Sequence, residues 1–159
     1  MTVVSNTSPL LNLALIERLQ LVEAQFSEVV VPTAVWNELT AGFDGRDRIE
    51  AFRDRGGMRV VSPEPTELRT EFERELDRGE AAAIAHAIDI DADRVLIDER
   101  EGRATATRHD VPVTGVVGIL LRASSQGEID LEAELNALRE AGFWISDALY
   151  ERALEMDAE

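Results

Sequence analysis

The amino-acid sequence predicts an α/β fold: a three-layer α/β/α sandwich with a short, mostly parallel central sheet. Two observations predict it. Short runs rich in Val, Ile and Leu alternate with longer segments of helical periodicity, the pattern of strand–helix–strand crossovers. The helical segments also outnumber the strands, which favours a sandwich over a closed barrel. With 159 residues, 45% of them hydrophobic, the chain is long enough for one domain, residues 1–159, with a core of its own. Helices from about residue 130 are expected to pack on it.

Thr2 to Ser5 reads as the first strand. Ser8-Pro9 opens a helix, with Ser as N-cap and Pro at the first helical position; Leu10, Leu13, Ala14, Ile16, Leu19 and Leu21 form its apolar face. Phe26 to Val31 is a second strand, and Pro32 opens a helix that stops at Gly42. The stretch 43–47 (FDGRD) is a turn, followed by a charged helix from Asp47 to Arg55 and a strand from Met58 to Ser62. Thr66 caps a helix through Leu76. Asp77 and Glu80 have capping-box spacing ahead of the run AAAIAHAI. Arg94 to Ile97 is a strand ending at Asp98, and a helix follows to about His109. Val111 to Thr114 is a short strand before a helix that ends at Gly127. Asp130 caps a helix that ends near Gly142, and Ser146 caps the last one.

Charge is the most unusual bulk property. Asp and Glu total 32 against 16 basic residues, a net of −16, and every basic residue is arginine. Together with the low aromatic content this composition resembles that of haloarchaeal proteins. Concentrated salt keeps carboxylates hydrated and shortens the Debye length to about 3 Å at 1 M. At ordinary ionic strength a net of −16 argues against nucleic-acid binding; in molar salt that argument loses force. There is no cysteine, which excludes disulfides and thiolate metal sites. No run approaches the roughly 20 apolar residues that cross a bilayer, and the N-terminus has no basic stretch ahead of an apolar core. The expected location is the cytoplasm, with no membrane partner.

Four polar residues stand where α/β domains build sites. Asn6 and Asp98 follow strand ends, where ligands bind in open parallel sheets. Glu38 lies within the second helix and Glu80 opens the alanine-rich one. Read alone, Asn6 is a helix cap or Asx-turn and Glu38 a solvated carboxylate, while Glu80 is either the return half of a capping box or a ligand, and Asp98 either the cap of the next helix or a ligand. The case for a site rests on the combination. His86 and His109 read as packed or edge residues. Arg100, Arg103 and Arg108 share one helix and either grip phosphate or bridge to nearby carboxylates. Phe143, Trp144 and Ile145 form an apolar cluster that reads as core.

The segments SNTSPLLNLALIERLQLV, VVVPTAVWNEL, LDRGEAAAIAHA, VLIDEREGRATA and VPVTGVVGILLRA resemble, in order, the PIN-domain superfamily, and more closely an archaeal and bacterial branch related to VapC-type toxins. The resemblance implies a metal-dependent ribonuclease of toxin type, with Mg²⁺ or Mn²⁺ as cofactor and RNA as substrate. It also implies a homodimer and a cognate antitoxin as partners. Carried over by position, Asn6, Glu38, Glu80 and Asp98 would hold the metal, with Glu38, Glu80 and Asp98 as the catalytic acids. Thr7, Glu99 and Thr114 would orient these groups or a water, and Arg100 and Arg103 would contact RNA. One position departs from the pattern: the first acid, usually Asp, is Asn6, whose amide can ligate but adds no charge. A catalytically weak or inactive binding protein of the same fold is therefore the alternative. A phosphoacceptor receiver domain is disfavoured, because that fold relies on a lysine that this chain lacks.

Overall fold

The computed structural model describes residues 1–42 and 44–158. Five strands, β1 (Thr2–Ser5), β2 (Glu28–Pro32), β3 (Arg59–Val61), β4 (Arg94–Leu96) and β5 (Val113–Thr114), form one sheet in the order β3-β2-β1-β4-β5. Every pairing is parallel, so the sheet is fully rather than mostly parallel. Val3, Val4, Val30, Val31, Val95 and Leu96 are fully buried, as expected for strands covered on both faces.

Ten helices surround the sheet among the described residues: α1 (Thr7–Leu15), α2 (Gln20–Gln25), α3 (Thr33–Ala41), α4 (Arg46–Asp54), α5 (Glu67–Phe72), α6 (Arg78–Asp89), α7 (Arg100–Arg108), α8 (Val116–Ser125), α9 (Leu131–Glu140) and α10 (Asp147–Ala158). Helices α1, α2 and α8 pack together, while α6 packs on β1, β2 and β4 and touches α5 and α7. Right-handed crossovers require this division: the chain moves outward from β1 to β3 over one face and returns to β4 over the other. Alanines at 81, 82, 83, 85 and 87 are all buried. Their small side chains let α6 lie close on the sheet, which desolvates the residues of its first turn.

Several local expectations needed correction. Ser8 is not the cap of the first helix; Asn6 holds the extended N-cap position without a side-chain cap bond, and the helix starts at Thr7. The single helix expected through Leu21 is two. Glu17 takes a left-handed φ of 61°, and the break lets Leu19, Leu21 and Val22 turn into the core. Strand β2 starts two residues later than expected, because Phe26 terminates α2. Helix α5 ends at Phe72 rather than Leu76. Phe43, at the start of the expected 43–47 turn, lies outside the described residues; Gly45 in that turn is left-handed, φ 81°. The caps at Thr66, Asp77, Asp130 and Ser146 are present. No helix among the described residues is long and apolar enough to cross a membrane.

The α1–α2 break is tied to α9 by charge. Arg18 Nε and Nη2 both donate to Glu134 Oε1, at 2.9 and 2.7 Å, and Glu134 is only 7% exposed. Removing Arg18 leaves that carboxylate buried without its partner. Arg18→Met is expected to cost about 1–3 kcal/mol in chemical denaturation, towards the low end because Arg18 is partly exposed. Arg18→Met with Glu134→Leu should recover most of the loss. Equal stability of the single variant and the parent would show that the pair does not anchor α9.

Candidate functional site

Strands β1 and β4 are the central pair, and the chain leaves them in opposite directions, β1 into α1 and β4 into α7. That is the switch point of the sheet, where parallel α/β domains open a crevice beyond the strand ends. The Asn6 N–H continues the ladder by donating to the Leu96 carbonyl at 2.9 Å. This bond sets Asn6 beside Asp98 and Glu99 despite the long stretch of chain between them.

Three small contact groups make up the site. Asn6 Nδ2 donates to Glu99 Oε2 at 3.1 Å. Ser8 Oγ donates to Asp98 Oδ2 at 2.9 Å, and the Val116 N–H, at the start of α8, donates to Asp98 Oδ1 at 2.8 Å. Thr7 Oγ1 donates to Glu38 Oε2 at 2.6 Å. On α6, Asp77 Oδ1 accepts from the Glu80 N–H at 2.8 Å, so the cap is real. The Glu80 side chain nevertheless leaves Oε2 buried with no hydrogen-bond partner, as is Asn6 Oδ1.

Glycines make room for these carboxylates. A Cβ on Gly102 would come within 2.6 Å of Glu80 Oε2, one on Gly115 within 2.7 Å of Asp98 Oδ1, and one on Gly79 within 2.7 Å of Glu38 Oε1. Any side chain there would displace an acid. Glycine at 102 is unfavourable inside a helix, and the close approach of Glu80 explains it.

Burial dominates the electrostatics. It pushes the Glu80 carboxyl up to about 8, helped by a shared hydrogen bond with the Asp77 carboxyl and by repulsion from Asp77 and Glu99. Burial likewise raises Asp98, opposed by the bonds from Val116 and Ser8 and by the Arg103 charge. Glu99 is raised by burial and by the charge of Asp98, opposed by its own backbone and by Asn6. For all three carboxyls desolvation outweighs the crowding of like charges.

Asn6, Glu80 and Glu99 are therefore brought together, with Asp98 next to them on the chain. Glu99 was expected to orient the ligands, and its carboxylate accepts from Asn6 Nδ2, one of those expected ligands. Glu38 is exposed and rides over Gly79, one residue before Glu80. Thr114 accepts from Arg94 Nη1 at 3.2 Å rather than bonding to an acid. Arg103 lies beside Asp98 in a large cavity, whereas Arg100 is exposed and is not among that cavity's lining residues. Trp144, read as core, is 81% exposed. Sequence reasoning missed Ser8, taken for a cap, and the chemical role of Asp77. The Ser8-Pro9 pair concealed the former, because it imitates a helix start.

Among the described residues, no three His, Cys, Asp or Glu side chains are grouped to hold a metal ion. The donor chemistry still fits a hard divalent cation. Every candidate ligand is an oxygen, and the two buried oxygens without partners, Asn6 Oδ1 and Glu80 Oε2, both belong to residues neighbouring Glu99. An uncompensated buried oxygen is costly, and a hard cation is a partner suited to such oxygens.

Protonation of Glu80 also sets a pH dependence. In the unfolded chain the group ionises near its ordinary 4.5, but the folded protein keeps the proton to about 8. The folded state thus binds more protons between these values. The contribution to stability is complete below pH 4.5 and is lost as pH rises through 8. Protein stripped with chelator should melt at a lower temperature at pH 8.5 than at pH 6, and Glu80→Gln should shrink the difference. A Glu80→Gln profile parallel to that of the parent would show that the proton lies elsewhere.

The profile of a family described as a PIN domain matches residues 2–159. PIN domains are generally nucleases that use divalent metal ions. No curated protein and no solved structure matches the chain significantly. The match spans nearly the whole chain and agrees with the parallel sheet and the acidic switch point: this chain belongs to the PIN-domain family.

Proposed function

We propose that this chain hydrolyses phosphodiester bonds of RNA with a divalent ion, Mg²⁺ or Mn²⁺, held at the β1–β4 switch point. The observation that carries the reading is the pair of buried, unpartnered oxygens, Asn6 Oδ1 and Glu80 Oε2, beside Asp98 and Glu99. Asn6, Glu80 and Asp98 would hold the ion, with Glu38 reaching it through water from its exposed position. When bound, the ion supplies positive charge to the phosphate and makes water more acidic.

The remaining roles fall to the chain. Ser8 and the Val116 N–H fix both oxygens of Asp98, which sets its orientation before substrate arrives. Glu80 gives up its proton when positive charge enters, so occupancy strengthens as pH rises towards 8. Glu99, held by Asn6 Nδ2, is the carboxylate free to accept a proton from the attacking water. The water oxygen forms the new bond to phosphorus, the ester bond to the departing ribose oxygen breaks, and that oxygen takes a proton from solvent.

A catalytically weak PIN domain is the second reading, favoured by the amide at position 6 and by the lack of a three-acid group among the described residues. The toxin-type setting rests on the resemblance of the sequence segments alone. It predicts growth arrest on expression in a host, relieved by Asp98→Asn.

A manganese-dependent RNase assay in molar KCl separates the readings. Asp98→Asn should abolish cleavage. Asn6→Asp should raise ion affinity at least about tenfold, since a unit charge about 4 Å from a divalent ion is worth roughly 2–8 kcal/mol before desolvation. The same change sets two carboxylates face to face, so the chelated variant should melt lower than the parent. Cleavage by neither the parent nor Asn6→Asp would sink the nuclease reading.

A further inference from the structure

The largest cavity among those described, about 540 Å³, opens on the α8 side of Asp98. Its wall combines Arg94, Arg103 and Arg122 with Trp144 and Phe143, and Asp98 is part of the same lining. Nine arginines form ion pairs among the described residues, but Arg94, Arg103 and Arg122 are not among them. Arg74, Arg78, Arg100 and Arg152 form no such pair either. What distinguishes these three is that they converge on one cavity, Arg94 donating to Thr114 and the Arg103 charge acting on Asp98, in a chain with twice as many acids as bases.

Trp144 supplies a second, independent observation. It is one of two tryptophans in a chain with few aromatics and is 81% exposed, whereas its neighbour Ile145 is 5% exposed. An exposed indole on the rim of a cationic cavity has the make-up of a stacking platform for a nucleobase. The guanidiniums beside it suit phosphate oxygens. A volume of about 540 Å³ is on the scale of one or two unstacked nucleotides, whereas the bases of a duplex are not available to an indole face.

We propose that the cavity is the substrate-strand subsite: Trp144 stacks on an unpaired base while Arg94, Arg122 and Arg103 hold the phosphates that lead to Asp98. This assignment rests on the nuclease reading for its direction towards Asp98, but strand binding itself does not require cleavage. It selects single-stranded or looped RNA over duplex. Arg94 and Arg122 thereby become binding residues, and Arg103 is the one that touches both the strand and the neighbourhood of the acid.

Binding measured without catalysis tests it. The parent protein carrying Trp36→Phe, kept in chelator, is titrated with a short single-stranded RNA and with its duplex while the fluorescence of Trp144 is followed, at a series of KCl concentrations. The single strand should quench Trp144, and the duplex should not. Trp144→Ala should weaken binding, read by anisotropy of labelled RNA, roughly tenfold. Arg94→Gln and Arg122→Gln should each weaken it and lower the salt slope by about 0.7. Arg46→Gln, outside the cavity, should change neither. Both Trp144 and Arg122 are exposed, so those variants should fold, and their melting curves confirm it.

Unchanged affinity in Trp144→Ala and Arg122→Gln overturns the subsite, as does equal binding of duplex. Equal quenching by a polyglutamate peptide of matched charge also overturns it, and points to an acidic protein segment instead. The two readings fail separately. Cleavage with unaltered binding in the variants removes the subsite and keeps the nuclease. Strand binding lost in the variants, with no cleavage by the parent or by Asn6→Asp under manganese, keeps the subsite and removes the nuclease.

Discussion

The register between β1 and β4 is the constraint on which the rest depends. Val3 faces Arg94, Val4 faces Val95 and Ser5 faces Leu96, and the Asn6 N–H adds one more rung to the Leu96 carbonyl. A slip of one residue would break the packing of Val4 and Val95 against the helices on their own faces and lift Asn6 away from Glu99. Hydrophobic burial holds the register, because every residue of these two strands other than Thr2 and Arg94 is buried. The same packing that stabilises the sheet therefore positions the acids.

Helix α6 imposes the second constraint. Its alanines allow it to lie on three strands, and its first turn carries Glu80 into an environment that disfavours charge. The capping bond from Asp77 stabilises the helix start and also places a second carboxyl against the first. Stability and chemistry conflict there. Without a cation, the protein keeps Glu80 protonated into the neutral range, so the helix start avoids a buried charge that nothing there compensates. The glycine at 102 is part of the same arrangement, since a larger residue would collide with Glu80 Oε2.

Much of this fold was legible in the sequence, because alternating apolar strands and capped helices leave strong local signals. The caps at Thr66, Asp77, Asp130 and Ser146 were readable from residue type and spacing. What was not legible depended on tertiary contact. Ser8 and Pro9 look like a helix start, yet Ser8 donates to Asp98, ninety residues away. The α1–α2 break has no glycine or proline to announce it; Glu17 adopts a left-handed backbone because burial of Leu19 and Leu21 repays it. The site residues were placed by their order along the family pattern. Local chemistry alone could not separate Glu80 as a cap from Glu80 as a ligand, and it proves to serve in the cap while keeping one oxygen free. Trp144 was misread because a Phe-Trp-Ile run looks like core whichever residue of it faces outward.

The amide at position 6 shows how the site balances these demands. Only the nitrogen end of Asn6 can face the Glu99 carboxylate, which fixes the orientation of the amide and sends Oδ1 towards the space without a partner. An aspartate there would meet Glu99 as two like charges at hydrogen-bond distance and would require a proton or a cation between them. Asparagine removes that requirement, so the protein can fold with its acids in place whether or not an ion is bound. The cost falls on affinity, because the ligand that remains is a dipole rather than a charge. In concentrated salt, where distant charges are screened but contacts between adjacent buried groups are not, easing one close repulsion stabilises the fold more than lowering the net charge elsewhere would. Position 6 is thus where folding without metal and the proposed binding of metal would oppose each other most directly, and asparagine favours folding.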